Sequence, residues 1–282
     1  KKMIGSITET KRILDKYNLQ AKKKLGQNFL VDGNIIHKII DQINLSKEDG
    51  VIEIGPGIGA MTEILLQQAE KVLCYEIDKD MVEVLSRELT NGNLLIKQED
   101  FLKADLISDL KNFKENQRIV VVSNLPYYIT TPIIFKLLEE ETSIKEFYFM
   151  VQKEVGLRLT GKPKTKDYNS LSVLISFQAE ANLLFEVKRN SFYPVPDVDS
   201  VIISLKKTGK DYGVNNRDKF IEFVQNIFAM RRKTIINNLM AKYSFSRKEL
   251  VDIMSSQGHK ETLRAEELSV KEIVELYKAF VL

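Results

Sequence analysis

Val51-Ile52-Glu53-Ile54-Gly55-Pro56-Gly57-Ile58-Gly59-Ala60 reads as a buried strand that runs into a glycine-rich turn and then into a helix. Glycines there let the backbone pass close to a nucleotide without Cβ clashes, and the helix start offers backbone N–H donors. A tight turn with no ligand has the same appearance, so the stretch first decides a local β-α unit. Working outward from Leu25 to Leu205, short apolar runs alternate with helix-patterned stretches, the sign of repeated β-α units around a mostly parallel sheet. Seven strands are predicted, at Val51–Ile54, Val72–Ile77, Leu94–Lys97, Ile119–Ser123, Glu146–Val151, Leu183–Val187 and Val201–Leu205. Helices are expected at Asn34–Ile43, Ala60–Gln68, Lys79–Leu89, Thr131–Glu139 and Lys153–Leu159, the first four with spaced apolar faces. The last two strands flank Phe192-Tyr193-Pro194-Val195-Pro196, whose prolines favour a connection between strands, so an antiparallel pair is expected to end the sheet.

After Leu205 the strand pattern stops. Arg217–Phe228, Lys233–Tyr243, Arg247–Gln257 and Val270–Phe280 read as amphipathic helices, with Gly209 and Gly213 punctuating the approach. The expected organisation is a domain over residues 1–205, opening on a basic segment 1–27, and a smaller all-helical domain over 206–282. From Lys206 onward 15 basic side chains face 10 acidic ones, a net +5 within a chain total of +3. Basic clusters stand at Lys22-Lys23-Lys24 and Arg231-Arg232-Lys233, with looser ones at Lys162 to Lys166 and Lys206 to Lys210. Any one of these is an ordinary solvated face; several together favour a polyanionic partner. The lone cysteine, Cys74, sits in an apolar run, which predicts a buried structural thiol and excludes a disulfide framework of the secreted kind. No apolar stretch approaches membrane-spanning length and the N-terminal stretch lacks an apolar core, so a soluble cytoplasmic chain is expected.

The glycine turn by itself fits a dinucleotide, since Gly55, Gly57 and Ala60 satisfy the G-x-G-x-x-G/A spacing. Three carboxylates move the reading toward S-adenosyl-L-methionine. Glu53, two residues before the first glycine, suits a cationic amino acid and sulfonium better than a pyrophosphate. Glu76 ends the next strand at the spacing where a carboxylate accepts from ribose hydroxyls, a feature that fits either cofactor. Glu99-Asp100-Phe101 follows the third strand, where a carboxylate can accept a proton from an adenine amino group. Each alone reads as surface charge; at successive strand ends they form a site.

Val120-Val121-Val122-Ser123-Asn124-Leu125-Pro126-Tyr127-Tyr128 ends the fourth strand. The exocyclic amine of adenine is a poor nucleophile because its lone pair is delocalised into the ring. The Asn124 side-chain oxygen and the Leu125 carbonyl can accept its N6–H bonds and favour a tetrahedral nitrogen aimed at a methyl donor. Pro126 stiffens the turn, and Tyr127 offers a face for an extruded base. Neither a metal nor a strong base is required, because attack on a sulfonium is favourable once the atoms are in line. A polar turn with aromatic packing is the plain alternative, weakened by the cofactor motif that precedes it. Phe192 is the candidate for the opposite face of the base, against its reading as a core phenylalanine.

At these residues the chain resembles the KsgA/RsmA-type small-subunit ribosomal RNA adenine N6,N6-dimethyltransferases. The resemblance covers nearly the whole chain, through Lys24 to Leu30, Glu53 to Gly59, Tyr75 to Asp78, Asp100-Phe101, Asn124 to Pro132, Phe192 to Ser200 and Phe228 to Leu239. It implies a Rossmann-like, seven-stranded class I methyltransferase domain followed by the small helical one, and contacts to S-adenosyl-L-methionine from Asn28, Leu30, Gly55, Glu76, Asp100 and Asn124. It further implies two adjacent adenosines near the 3′ end of 16S RNA as targets, each methylated twice, in the small (30S) subunit or its late precursor. The related family that methylates a large-subunit adenosine and confers macrolide resistance shares the fold and the cofactor site, but Asn124 to Pro132, Phe228 to Thr234 and Leu263 to Leu268 resemble the small-subunit form. A chain acting mainly as an RNA-binding assembly factor is the alternative from a different class. Lys22, Lys23, Lys24, Arg231, Arg232 and Lys233 are the candidate RNA contacts, and no heptad or large apolar face suggests an oligomer, so a monomer is expected.

Overall fold

The computed structural model describes residues 2–280. Residue 1 and residues 281–282, which the expected domains include, lie outside the described residues. In chain order the strands are β1 (Phe29–Leu30), β2 (Gly50–Ile54), β3 (Lys71–Glu76), β4 (Leu94–Gln98), β5 (Ile119–Asn124), β6 (Glu146–Gln152), β7 (Ala179–Val187), β8 (Phe192–Tyr193) and β9 (Ser200–Lys207). The helices are α1 (Ile7–Lys16), α2 (Gly33–Ile43), α3 (Ala60–Gln68), α4 (Lys79–Glu88), α5 (Leu106–Asp109), α6 (Thr130–Glu139), α7 (Lys153–Leu159), α8 (Ser170–Ser176), α9 (Arg217–Ile227), α10 (Ile235–Lys242), α11 (Arg247–Ser256) and α12 (Val270–Phe280).

Seven strands form one sheet in the order β4-β3-β2-β5-β6-β9-β7. The pairs from β4 through β6 are parallel, and β9 runs antiparallel to β6, with Gln152 opposite Ser200. Every residue of β2 is buried, as a strand covered by helices on both faces must be, which is why it reads as an apolar run rather than an alternation. The order places β2 beside both β3 and β5, with Ile54 opposite Tyr75 on one side and Ser123 on the other. Because the strands are parallel, their C-terminal ends share one edge, and the turns that leave β2, β3 and β5 converge there.

Several elements had no counterpart in the sequence reading, among them the short helices α5 and α8. The stretch before Lys22, read there only for its charges, holds α1, whose start is capped by the Ser6 hydroxyl accepting from the Glu9 N–H and whose Ile13 and Leu14 are buried. A separate two-stranded sheet pairs β1 with β8, Phe29 opposite Tyr193 and Leu30 opposite Phe192. Two-residue strands about 160 positions apart leave no periodicity to read.

The chain divides into two compact units, and the division differs from the expected one. The first unit runs up to Gly156 and resumes at Asn182–Lys207; the second comprises Leu157–Ala181 and the chain from Thr208 onward. Residues 157–181, expected within the first domain, join the helical unit through specific contacts. Buried Tyr168 donates from its hydroxyl to the Leu268 carbonyl at 2.7 Å, and the Lys164 N–H donates to the Glu266 carbonyl at 2.8 Å. Phe177 packs its ring 4.7 Å from that of Phe220. The four expected tail helices are all present, and α10 starts after a Thr234 cap rather than at Lys233.

Candidate active site

One cleft at the C-terminal ends of β2, β3 and β5 is lined by all ten residues that the sequence singled out for cofactor or target: Asn28, Leu30, Gly55, Glu76, Asp100, Asn124, Leu125, Pro126, Tyr127 and Phe192. Its floor is the glycine turn. Gly55 and Gly57 hold φ of 71° and 60°, the left-handed region that side chains avoid, so the turn keeps a shape that bares backbone to the cleft. The Ser123 hydroxyl donates to the Ile54 carbonyl at 2.5 Å, which locks the end of β5 against the end of β2. That bond brings Asn124 and Gly55 to one place.

Glu76 closes the next side. Its carboxylate accepts from the Gly57 N–H at 3.2 Å and the Asp78 N–H at 2.9 Å, so the glycine turn and the start of α4 both hang on it. Burial pushes its pKa up to about 7 despite those donors. Glu53 also lines the cleft. It is 1% exposed, accepts from the Thr62 hydroxyl and lies 3.8 Å from the Cys74 thiol, and burial raises its pKa to about 7. Cys74 is buried, and burial pushes its thiol pKa up, as expected of a structural thiol.

Asp100 accepts the Leu102 N–H at 3.0 Å, which caps the short turn carrying Phe101, and Phe101 meets Tyr75 edge to face with centroids 5.0 Å apart. On the target side Asn124 donates from Nδ2 to the Asn28 carbonyl at 3.4 Å. With the amide nitrogen so engaged, its Oδ1 is the atom left to accept a substrate N–H. Buried Leu125 donates its own N–H to the Met150 carbonyl at 3.2 Å, while the turn closes on the next carbonyl, that of Pro126, which accepts from the Ile129 N–H and the Thr130 hydroxyl. Tyr127 is 36% exposed, and burial pushes its phenol pKa up. Phe192 is 3% exposed and belongs to the hydrophobic core while also lining the cleft.

The candidate RNA contacts fall into two kinds. Lys22 is half-buried and its Nζ pairs with Asp78 at 2.8 Å and Asp80 at 2.6 Å, so its charge is met within the protein. Lys23, Lys24, Arg231, Arg232 and Lys233 are exposed, Arg231 also pairing with Glu266 at 3.2 Å. Sequence reasoning missed Gln27 and Asp78, which join Lys22 in that network; the only signal was their place inside the Lys24 to Leu30 and Tyr75 to Asp78 motifs. Among the described residues no group of three or more histidines, cysteines or carboxylates could hold a metal, and no helix is long and apolar enough to cross a membrane.

A mostly parallel sheet with a glycine turn after one strand, a buried acid after the next and an Asn-Leu-Pro-Tyr turn across the same cleft defines the class of S-adenosylmethionine-dependent methyltransferases acting on an amino nitrogen. Residues 18–281 match the family model described as ribosomal RNA adenine dimethylase. Over the whole chain it is 45% identical to ribosomal RNA small subunit methyltransferase A of Bacillus cereus strain B4264, covering 98% of that protein, and equally to that of Bacillus anthracis strain CDC 684. A solved dimethyladenosine transferase from Plasmodium falciparum is 28% identical with a TM-score of 0.72, over 88% of this chain and 95% of that one. The 23S rRNA methyltransferase ErmE shares the fold, with a TM-score of 0.67 at 24% identity over 90% of this chain and all of that one. The chain belongs to the ribosomal RNA adenine dimethylase family, and its methyl donor is S-adenosylmethionine.

Proposed function

We propose that this chain dimethylates N6 of two adjacent adenosines near the 3′ end of 16S RNA, within the small (30S) ribosomal subunit or a late precursor of it. The observation that carries this reading is the Asn124-Leu125-Pro126-Tyr127 turn set across one cleft from Gly55 and Glu76. When bound, S-adenosylmethionine supplies a methyl group on a sulfonium, an electrophile that needs no metal. The residues that would hold it are Asn28, Leu30, Gly55, Glu76, Asp100 and Asn124, and the buried Glu76 carboxylate with the bared glycine backbone suits ribose hydroxyls and a nucleoside.

For the target base, Asn124 Oδ1 and the Leu125 carbonyl each accept one N6–H, drawing the lone pair out of the ring. Both are neutral acceptors, so they orient the amine without competing for its proton as a strong base would. Each transfer breaks the S–CH3 bond, leaves S-adenosylhomocysteine and gives a cationic nitrogen that loses one proton to solvent; after the first a single N–H remains, and one acceptor still suffices to hold N6-methyladenosine for the second. Tyr127 supplies a stacking face, and Phe192 contributes to the wall of the same cleft. Lys23, Lys24, Arg231, Arg232 and Lys233 are the exposed cations assigned to RNA phosphates. We take a single chain as the working unit and the cytoplasm as the place of action, since that is where a protein acting on an assembling subunit meets its substrate.

The test is to incubate the protein with S-adenosylmethionine and small subunits lacking the modification, then to digest the RNA and quantify nucleosides by mass spectrometry. N6,N6-dimethyladenosine is expected from small subunits and none from large subunits. Methylation of large subunits instead would overturn the reading, and no product on either would favour a silent assembly role.

A further inference from the structure

The cleft has one wall that no β-α unit supplies. Residues 25–30 form it, with Gly26 in the left-handed region at φ 63° and packed so that a Cβ there would lie 3.2 Å from Pro126 Cβ. This segment belongs to a strap between α1 and β1, and the strap is tied down at both ends of α4. At the C-terminal end, Lys16 Nζ pairs with Glu88 at 2.9 Å and the Tyr17 hydroxyl donates to it at 3.1 Å. At the N-terminal end the contacts gather on Asp78, with Lys22 Nζ pairing also with Asp80 at 2.6 Å. Its Oδ1 accepts from Lys22 Nζ at 2.8 Å and from the Asp80 N–H at 3.0 Å, and its Oδ2 accepts from Gln27 Nε2 at 2.8 Å. Gln27 in turn accepts the Lys22 N–H at 2.9 Å, which closes a ring of contacts around the strap.

Asp78 also has a second task. Its backbone N–H donates to Glu76 Oε2. The residue therefore touches, through one end, the carboxylate assigned to the ribose and, through the other, the strap that carries Asn28 and Leu30. Burial works against its charge, yet the Lys22 and Gln27 donors outweigh it and hold the carboxyl below the usual carboxylate range.

We propose that Asp78 is a positioning residue for the cofactor: its carboxylate latches the strap through Lys22 and Gln27 so that Asn28 and Leu30 close on the ligand that Glu76 grips. This rests on the S-adenosylmethionine site described above. The Lys22 side chain retains 33% exposure, which places the pair among those of modest strength.

The test is direct binding of S-adenosylmethionine to the free protein by calorimetry, with no RNA present, so that any role of Lys22 toward phosphates stays out of the measurement. Asp78→Asn keeps a side chain able to cap α4 while removing the charge, and Lys22→Met removes the partner, together with its second pairing to Asp80, while leaving the Asp78 cap of α4 in place. Each is expected to weaken binding about fivefold, the upper end for a half-exposed pair. The double variant should be no weaker than the poorer single one, and Lys22→Arg should bind nearly as the parent does. Unchanged binding in both single variants, or a double loss equal to the product of the two, overturns the latch. A parent protein that binds no S-adenosylmethionine overturns the cofactor site itself, which is a separate outcome.

Discussion

The two halves of the cleft are built from different chemistry. The half at the ends of β2 and β3 relies on buried carboxyls, Glu53 and Glu76, both with pKa raised to about 7 by burial, set against a turn shaped by positive-φ glycines. The half at the end of β5 carries no charge at all: an amide, a backbone carbonyl, a proline and two aromatic rings. A charged ligand with ribose hydroxyls rewards ionised acceptors, whereas an amine that must keep its nucleophilic pair is best held by neutral ones. The contrast predicts that the two halves fail differently.

The sharpest break is Asn124→Ala. Methylation should fall at least about 10²–10³-fold, the scale of losing one aligned catalytic dipole. Affinity for S-adenosylmethionine should drop far less, and binding to small subunits should persist in a sedimentation assay. Full methylation by this variant would remove Asn124 from the mechanism.

On the other side, Glu76→Gln should weaken S-adenosylmethionine about 10- to 100-fold, the scale of hydrogen bonds to a charged group, as read by calorimetry. Next in size is the pH dependence of that affinity. A carboxyl with pKa near 7 must ionise to serve as a full acceptor, so binding should tighten about tenfold between pH 6 and pH 8. The Glu76→Gln variant should lose that slope; a flat profile in the parent would mean that Glu76 is not the ribose acceptor.

The smallest effect concerns stability. Glu53 has a folded-state pKa above its unfolded value, so its contribution is present at low pH and is lost as pH rises through about 7. Glu53→Gln avoids the buried charge while retaining an acceptor for Thr62. It should therefore gain on the parent by on the order of 1 kcal/mol at pH 8 and show no gain near pH 5 in thermal melts. A gain equal at both pH values would show that Glu53 does not titrate in the folded protein.

Much of this was legible in the chain because the signals are local. β2 through β6 appear as apolar runs of the right length, α3 runs over its expected residues, and the residues that meet in the cleft lie on motifs at strand ends, where parallel topology brings them together. The burial of Glu53 was not legible for a physical reason: position in a motif says that a carboxylate is near a turn, but only packing says whether it is solvated, and Thr62 and Cys74 come to it from α3 and β3.

What sequence by itself determined is the α/β unit, the glycine turn, the acceptor turn and the helical tail, since each is written within about ten consecutive residues whose periodicity or turn chemistry is self-contained. Tertiary structure alone decided that residues 157–181 pack with the helical unit, that β1 pairs with β8, and that Asp78 gathers Lys22 and Gln27 from more than 50 positions away. Those outcomes depend on which distant surfaces are brought together once the chain closes, and loop closure over such separations leaves no mark on local pattern.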